Sequence, residues 1–174
     1  MICILLSGEH STLPRAEVKA ILESERIPFK IIEEKKRIMR IEAEDKTAKL
    51  IEKRTAYTHL AFKELTYCSN NEEDILQNIK KIKIEKYLKK DEKIAVRIKQ
   101  LLLKKNKKDI SILEGKIGKI LLKRASLRVN LRKPDKLLIG ILTDETFSFG
   151  LTTGKPINKR FGERTPRHKP FFHP

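Results

Sequence analysis

Seventy-four nearly neutral residues precede one hundred that carry a surplus of eighteen positive charges. Residues 1–74 hold 13 Lys+Arg against 14 Asp+Glu, and residues 75–124 hold 17 against 5. Residues 125–151 hold 4 against 3, and residues 152–174 hold 6 against 1. The split argues for two functional units, one of which meets phosphate. Lysine is abundant throughout, 28 of 174 residues. Heat adaptation or composition bias also raises Lys. Such chains balance it with Glu, and here only the first part does.

Length and composition narrow the classes further. A chain of 174 residues suits one or two small domains and is too short for a TIM barrel. Apolar residues make up 39%, enough for a core despite 36% charged residues. The longest apolar run is about six residues, far below the roughly 20 that span a bilayer as a helix. The start MICILLSGEH has neither the basic n-region nor the cleavage site of a signal peptide. Two Cys, 65 positions apart, make no disulfide framework and no four-ligand zinc site. The expectation is a soluble, cytoplasmic protein with a polyanionic partner.

The periodicity predicts an α+β chain. Ile2–Leu6 reads as a buried strand. Pro14 opens a helix with Val18, Ile21 and Leu22 as its stripe, and Pro28 closes that region. Residues 29–32 and 38–43 read as strands joined at Lys35-Lys36. A long helix is predicted after Asp45, with Ala48, Ile51, Thr55, His59 and Phe62 on one face, then a strand over 65–68. That order is strand–helix–strand–strand–helix–strand, a small ferredoxin-like sandwich. Ser69-Asn70-Asn71 is a polar break, so the first domain is placed at 1–70.

The second domain, 71–151, opens with a helix over 73–81 and a strand over 94–99. Ser111 and Glu114 have capping-box spacing and predict the start of a basic helix reaching Arg124. Val129 and Leu131 read as a strand end, and Lys133–Lys136 as a turn around Pro134. Strands over 137–142 and 147–151 follow. From residue 152 to 174 the prolines and glycines leave an extended basic linker with no core period.

No residue set predicts catalysis. Gly150–Lys155 is one residue short of a phosphate loop, and Pro156 stands where its Ser/Thr belongs. Gly115 and Gly118 form a G-x-x-G, but inside a predicted helix, where close helix packing explains them better than an RNA clamp. His10, His59, His168 and His173 lack metal-ligand spacing, and His59 is expected in or half within the core. Cys3 is expected to be buried and inert. What remains is a basic surface. Candidate RNA contacts are Arg97 and Lys99 on strand 94–99, and Lys116, Lys119, Lys123 and Arg124 on the helix. In the tail they are Lys155, Lys159, Arg160, Arg164, Arg167 and Lys169. Phe161, Phe171 and Phe172 interleave with the tail cations and suit docking on a following domain better than base stacking.

The segments IAVRIK, ILEGKIGKILLK, RVNLRKPDKLLIGIL and FSFGL together resemble a THUMP domain. The tail RFGERTPRHKPFFHP resembles the linker of archaeal tRNA guanosine-10 N2-methyltransferases, relatives of eukaryotic Trm eleven. The first 70 residues are similar to the ferredoxin-like domain that precedes THUMP in that group. The resemblance implies tRNA binding, with THUMP engaging the acceptor stem and the 3′ CCA end. It also implies a following Rossmann-like domain that binds S-adenosylmethionine and methylates a guanine amino group. The D-P-P-Y type motif of that domain is not in this sequence, so no catalytic residue and no cofactor site is carried over. The sequence reaches Pro174 about where the family enters its catalytic domain, which predicts a fragment or a separately encoded substrate-binding half. A stand-alone adapter that presents tRNA to another enzyme, such as a cytidine acetyltransferase, is the alternative. A small zinc-binding activator subunit is a further candidate partner.

Overall fold

The computed structural model describes residues 1–35, 37–101 and 109–152. The chain divides into two compact units, the first Met1–Ala61 and the second beginning at Phe62.

The first unit carries β1 (Ile2–Leu6), α1 (Leu13–Ser24), β2 (Lys30–Lys35), β3 (Ile38–Glu42), α2 (Lys46–Arg54) and the opening of β4 (Thr58–Ser69). Its sheet order is β2-β3-β1-β4, with β3 antiparallel to both β1 and β2. All five residues of β1 are buried, as befits a central strand. Ile2, Ile4 and Leu6 meet Val18 and Leu22 of α1 and Ile51 of α2 in one core. The Glu17 carboxylate accepts the backbone N–H of Ala56 at 2.7 Å and of Tyr57 at 2.9 Å, tying α1 to the turn before β4.

The predicted long second helix is shorter than expected. It ends at Arg54, and Thr58–Ser69 is a single strand. Thr55 turns extended, with φ −82° and ψ 142°, and its hydroxyl bonds back to Ile51 O at 2.7 Å. The β-branched and aromatic side chains of Thr55, Tyr57, Thr58 and Phe62 suit a pleated strand better than a helix. His59 is consequently an exposed strand residue, not a core one.

The second unit continues β4 and adds α3 (Glu72–Lys81), a 3-10 turn (Ile84–Lys86), β5 (Lys93–Leu101) and α4 (Ile110–Arg124). It ends with β6 (Arg128–Val129), β7 (Lys136–Thr143) and β8 (Thr146–Thr152). The order is β4-β8-β7-β5-β6. β5 pairs in parallel with β6 and β7, and β8 runs antiparallel to β7 and β4. The core gathers Ile75 and Ile79 of α3, Leu113, Ile117 and Leu121 of α4, and Val96, Leu138, Phe147 and Phe149 of the sheet. Phe147 and Phe149 lie nearly parallel, ring centroids 6.0 Å apart.

The capping box is also reassigned. Asp109 is the N-cap of α4, and its carboxylate accepts the Ser111 N–H at 3.0 Å and hydroxyl at 2.8 Å. The Ser111 hydroxyl bond, ahead of backbone N–H bonds, holds the Asp109 carboxyl below the usual range. Glu114 is thereby released from capping. It accepts the Ile98 N–H at 2.7 Å, satisfying an outward amide of β5.

Gly115 and Gly118 do not mediate close helix packing, because a Cβ added at either meets no atom within 4 Å. Each only loosens the helix backbone. The double substitution Gly115→Ala/Gly118→Ala is therefore expected to stabilise the chain by about 1–2 kcal/mol. A rise in Tm checks this, and a fall would mean that α4 needs the glycines for a partner.

Candidate nucleic-acid interface

In the first unit several cations pair with neighbouring carboxylates. Lys19 pairs with Glu34 at 2.8 Å, Lys35 with Glu33 at 3.0 Å, Arg40 with Glu33 at 3.3 Å, and Arg54 with Glu25. Such surface pairs add little stability, but each offsets a charge locally.

In the second unit α3 and α4 lie side by side, running the same way. Lys116 pairs with Glu72 near the start of α3. At the other end, Arg124 donates to the carbonyl oxygens of Lys80 and Ile82, the latter at 2.9 Å, and lies 3.7 Å from Glu85. The chain leaves both helices toward the entries of β5, β6 and β7. Those entries are stitched together. The Asp91 N–H donates to Ser126 O at 2.6 Å, that of Arg128 to Glu92 O at 3.1 Å, and that of Asp135 to Lys93 O at 2.7 Å.

Among the described residues this arrangement gathers the charge at one end of the unit. Residues 80–93 bring seven lysines against three carboxylates, and residues 123–136 bring six cations against one. All four carboxylates are engaged internally. Glu85 faces Arg124, and Asp91 pairs with Arg128 at 3.3 Å. Glu92 accepts the Lys89 N–H and Asp135 the Lys93 N–H, both at 2.9 Å. Of the described residues, the opposite end carries the helix N-termini, with Glu72, Glu73, Asp74 and Asp109. Lys104, Lys105, Lys107 and Lys108, which precede Asp109 in sequence, lie outside the described residues. Helix dipoles account for part of this polarity, since basic last turns are favoured by about 0.3–1 kcal/mol per residue. They explain Lys80, Lys81, Lys123 and Arg124. They do not explain Lys89, Lys90, Arg128, Arg132 and Lys133, which lie outside the helices.

The sequence-predicted contacts separate accordingly. Lys119 and Lys123 are exposed, with no ion-pair partner among the described residues. Lys116 and Arg124 hold α4 to α3 and its following loop. Arg97 faces the Glu114 carboxylate at 3.5 Å, and Lys99 is half-buried. Lys155, Lys159, Arg160, Arg164, Arg167 and Lys169 lie outside the described residues. Sequence reasoning passed over Lys80, Lys81, Lys89, Lys90, Arg128, Arg132 and Lys133. The signal that finds them is topological: successive β–α–β crossovers return both helix ends to the side where the strands begin.

The surface can neutralise phosphates, and no nucleophile–base pair is seen on it among the described residues. Among the described residues no group of His, Cys, Asp and Glu is arranged to hold a metal ion. Burial, with Asp74 adding to it, pushes the Cys68 thiol up to about 11, which makes it a poor nucleophile. No helix among the described residues is long and apolar enough to cross a membrane.

The relatives share one name. A tRNA (guanine(10)-N2)-dimethyltransferase of Methanothermobacter thermautotrophicus is 33% identical over 171 residues, 98% of this chain and 49% of its own length. One from Methanocaldococcus jannaschii is 27% identical, over all of this chain and 53% of its own. The chain spans about half the length of these relatives. No protein-family model matches the sequence. The fold is shared more widely. PH1313 from Pyrococcus horikoshii superposes with a TM-score of 0.62 at 15% identity, covering 86% of this chain and 53% of that one. A 4-thiouridine synthetase solved with RNA and ATP gives 0.57 at 20% identity, covering 86% and 40%.

Proposed function

We propose that this chain is the tRNA-binding half of a tRNA guanine-N2-methyltransferase. A ferredoxin-like domain, a THUMP domain over 71–151 and a linker over 152–174 would lead to a domain that holds S-adenosylmethionine and performs the transfer. The observation that carries the reading is the basic end of the second unit, where every carboxylate is already engaged and the surplus cations face outward. The two methyltransferase relatives, matched along essentially the whole chain, support tRNA among polyanions. The RNA in the synthetase structure of the same fold agrees with that choice. In this proposal the chain's residues bind and orient the tRNA, and the reacting groups belong to the following domain.

The test is tRNA affinity measured against salt, with and without the 3′ CCA. Neutralising four or more phosphates predicts a log–log slope steeper than about −3. Removing CCA is expected to weaken binding about tenfold. A slope near zero would defeat the polyanion reading. A slope that persists with no CCA dependence would leave tRNA binding but remove the 3′-end role.

A further inference from the structure

We propose that the loop between β6 and β7 is an apolar wedge that packs against an exposed base where a single RNA strand leaves a duplex. The proposal rests on the RNA-binding reading above and deepens it. Leu131 is the most exposed large apolar side chain among the described residues, at 57%, and Val129 two positions earlier stands at 53%. Arg128, Arg132 and Lys133 frame them. Arg128 is tied to Asp91, whereas Arg132 and Lys133 have no ion-pair partner among the described residues.

The loop is built to hold this shape. The Asn130 N–H donates to Ile94 O at 3.0 Å. Its side-chain oxygen accepts the N–H of Arg132 at 3.1 Å and of Lys133 at 2.9 Å. Asp135 then closes the loop through its paired bonds with Lys93, at 2.7 and 2.9 Å. Asn130 is therefore spent on the turn, and the tip presents aliphatic carbon next in sequence to the exposed cations Arg132 and Lys133. Exposed Leu gains only when something covers it. The cationic frame chooses the cover: a flat apolar face with phosphates on either side, which is a nucleobase. Bases inside a duplex are covered already, so the target is the first unpaired base where a strand runs on past the end of a stem. Apolar side chains accompanied by basic residues are known to pack on base faces, as the wedges of minor-groove binders do.

Leu131→Ser in the full chain tests it, because a side chain this exposed can be changed without emptying the core. Three probes are compared: a blunt RNA stem-loop, the same stem with a short 3′ overhang, and with a short 5′ overhang. The variant is expected to bind one or both overhang probes at least roughly fivefold more weakly and the blunt stem almost unchanged. Arg132→Ala/Lys133→Ala is expected to weaken all three and to flatten the salt slope by about 1–2. Leu131→Ser that binds every probe as the wild type does, or weakens all three equally, overturns the wedge. So does a change in oligomeric state with RNA binding intact, which would make the loop a protein contact. A wild-type chain that binds none of the probes or tRNA would instead overturn the RNA-binding reading itself.

Discussion

Reversing Lys80, Lys81, Lys119 and Lys123 to Glu is expected to weaken tRNA binding on the order of a hundredfold at moderate salt and to flatten the log–log salt slope by about 3. Lys119 and Lys123 are exposed on α4 with no ion-pair partner among the described residues, and Lys80 and Lys81 are exposed in the last turn of α3. The Arg124 guanidinium brings those two helix ends together through the Lys80 and Ile82 carbonyls. The four side chains thus act on one region of the potential. Glu in a last helical turn opposes the dipole, so some loss of stability accompanies the reversal. The matching Lys→Gln set separates the effects: it removes the charge without repulsion and should retain about half of the loss in binding free energy. Circular dichroism establishes that both variants are folded. Unchanged affinity in the folded Glu set would remove this end from the interface. Arg124 behaves differently, because its hydrogen bonds are internal. Arg124→Ala should lower Tm first and tRNA affinity only in step with it.

The amount of charge was legible in the sequence, and its placement was not. Counting by segment separates a balanced first part from a basic remainder, and the ion pairs of Glu33, Glu34 and Glu25 bear out that balance in three dimensions. Helical periodicity also locates the outward lysines of α4. It cannot tell that Lys116 meets Glu72, because that pair joins residues 44 apart. Likewise Glu114 has the right spacing for a capping box, yet Asp109, two residues before Ser111, is the cap, and the freed carboxylate finds the β5 edge. The strand–helix alternation of the first unit was readable because β1 is a continuous apolar run. The end of α2 was not, because a period of 3.6 can be traced through Thr55, His59 and Phe62 even though the chain turns extended at Thr55. For Lys116 and Glu114 a partner distant in sequence decided between two locally acceptable readings.

Gly150→Ala is expected to be the most damaging single methyl group that this chain can receive. Gly150 lies in β8 between Ile139 of β7 and Glu64 of β4. A Cβ there would fall on the carbonyl oxygen of Lys63 and within 2.7 Å of a Phe62 ring carbon. The obstacle is mainly backbone, so relief requires β4 to move away from β8. That movement would strain the buried bond from the Ser148 hydroxyl to Glu64, 2.5 Å long. Leaving that carboxylate less well satisfied adds to the steric cost. Together these predict a loss of about 3 kcal/mol or more, at the upper end of overpacking effects. For a chain of this size the corresponding fall in Tm is roughly 6–12 °C. Gly140→Ala provides the graded comparison. Its Cβ would meet ring atoms of Phe147 at 2.7 and 2.9 Å, and a side chain can give way where a carbonyl cannot. Phe147 is fully buried, so the expected cost is intermediate, about 1–2 kcal/mol. Gly115 and Gly118, with open space around them, complete the series with the opposite sign. Thermal melts of the three sets should therefore rank Gly150→Ala below Gly140→Ala, and both below the Gly115→Ala/Gly118→Ala chain. A Gly150→Ala chain that melts with the wild type would mean that β4 and β8 are not in close approach at Lys63, and the register of that pairing would have to be redrawn.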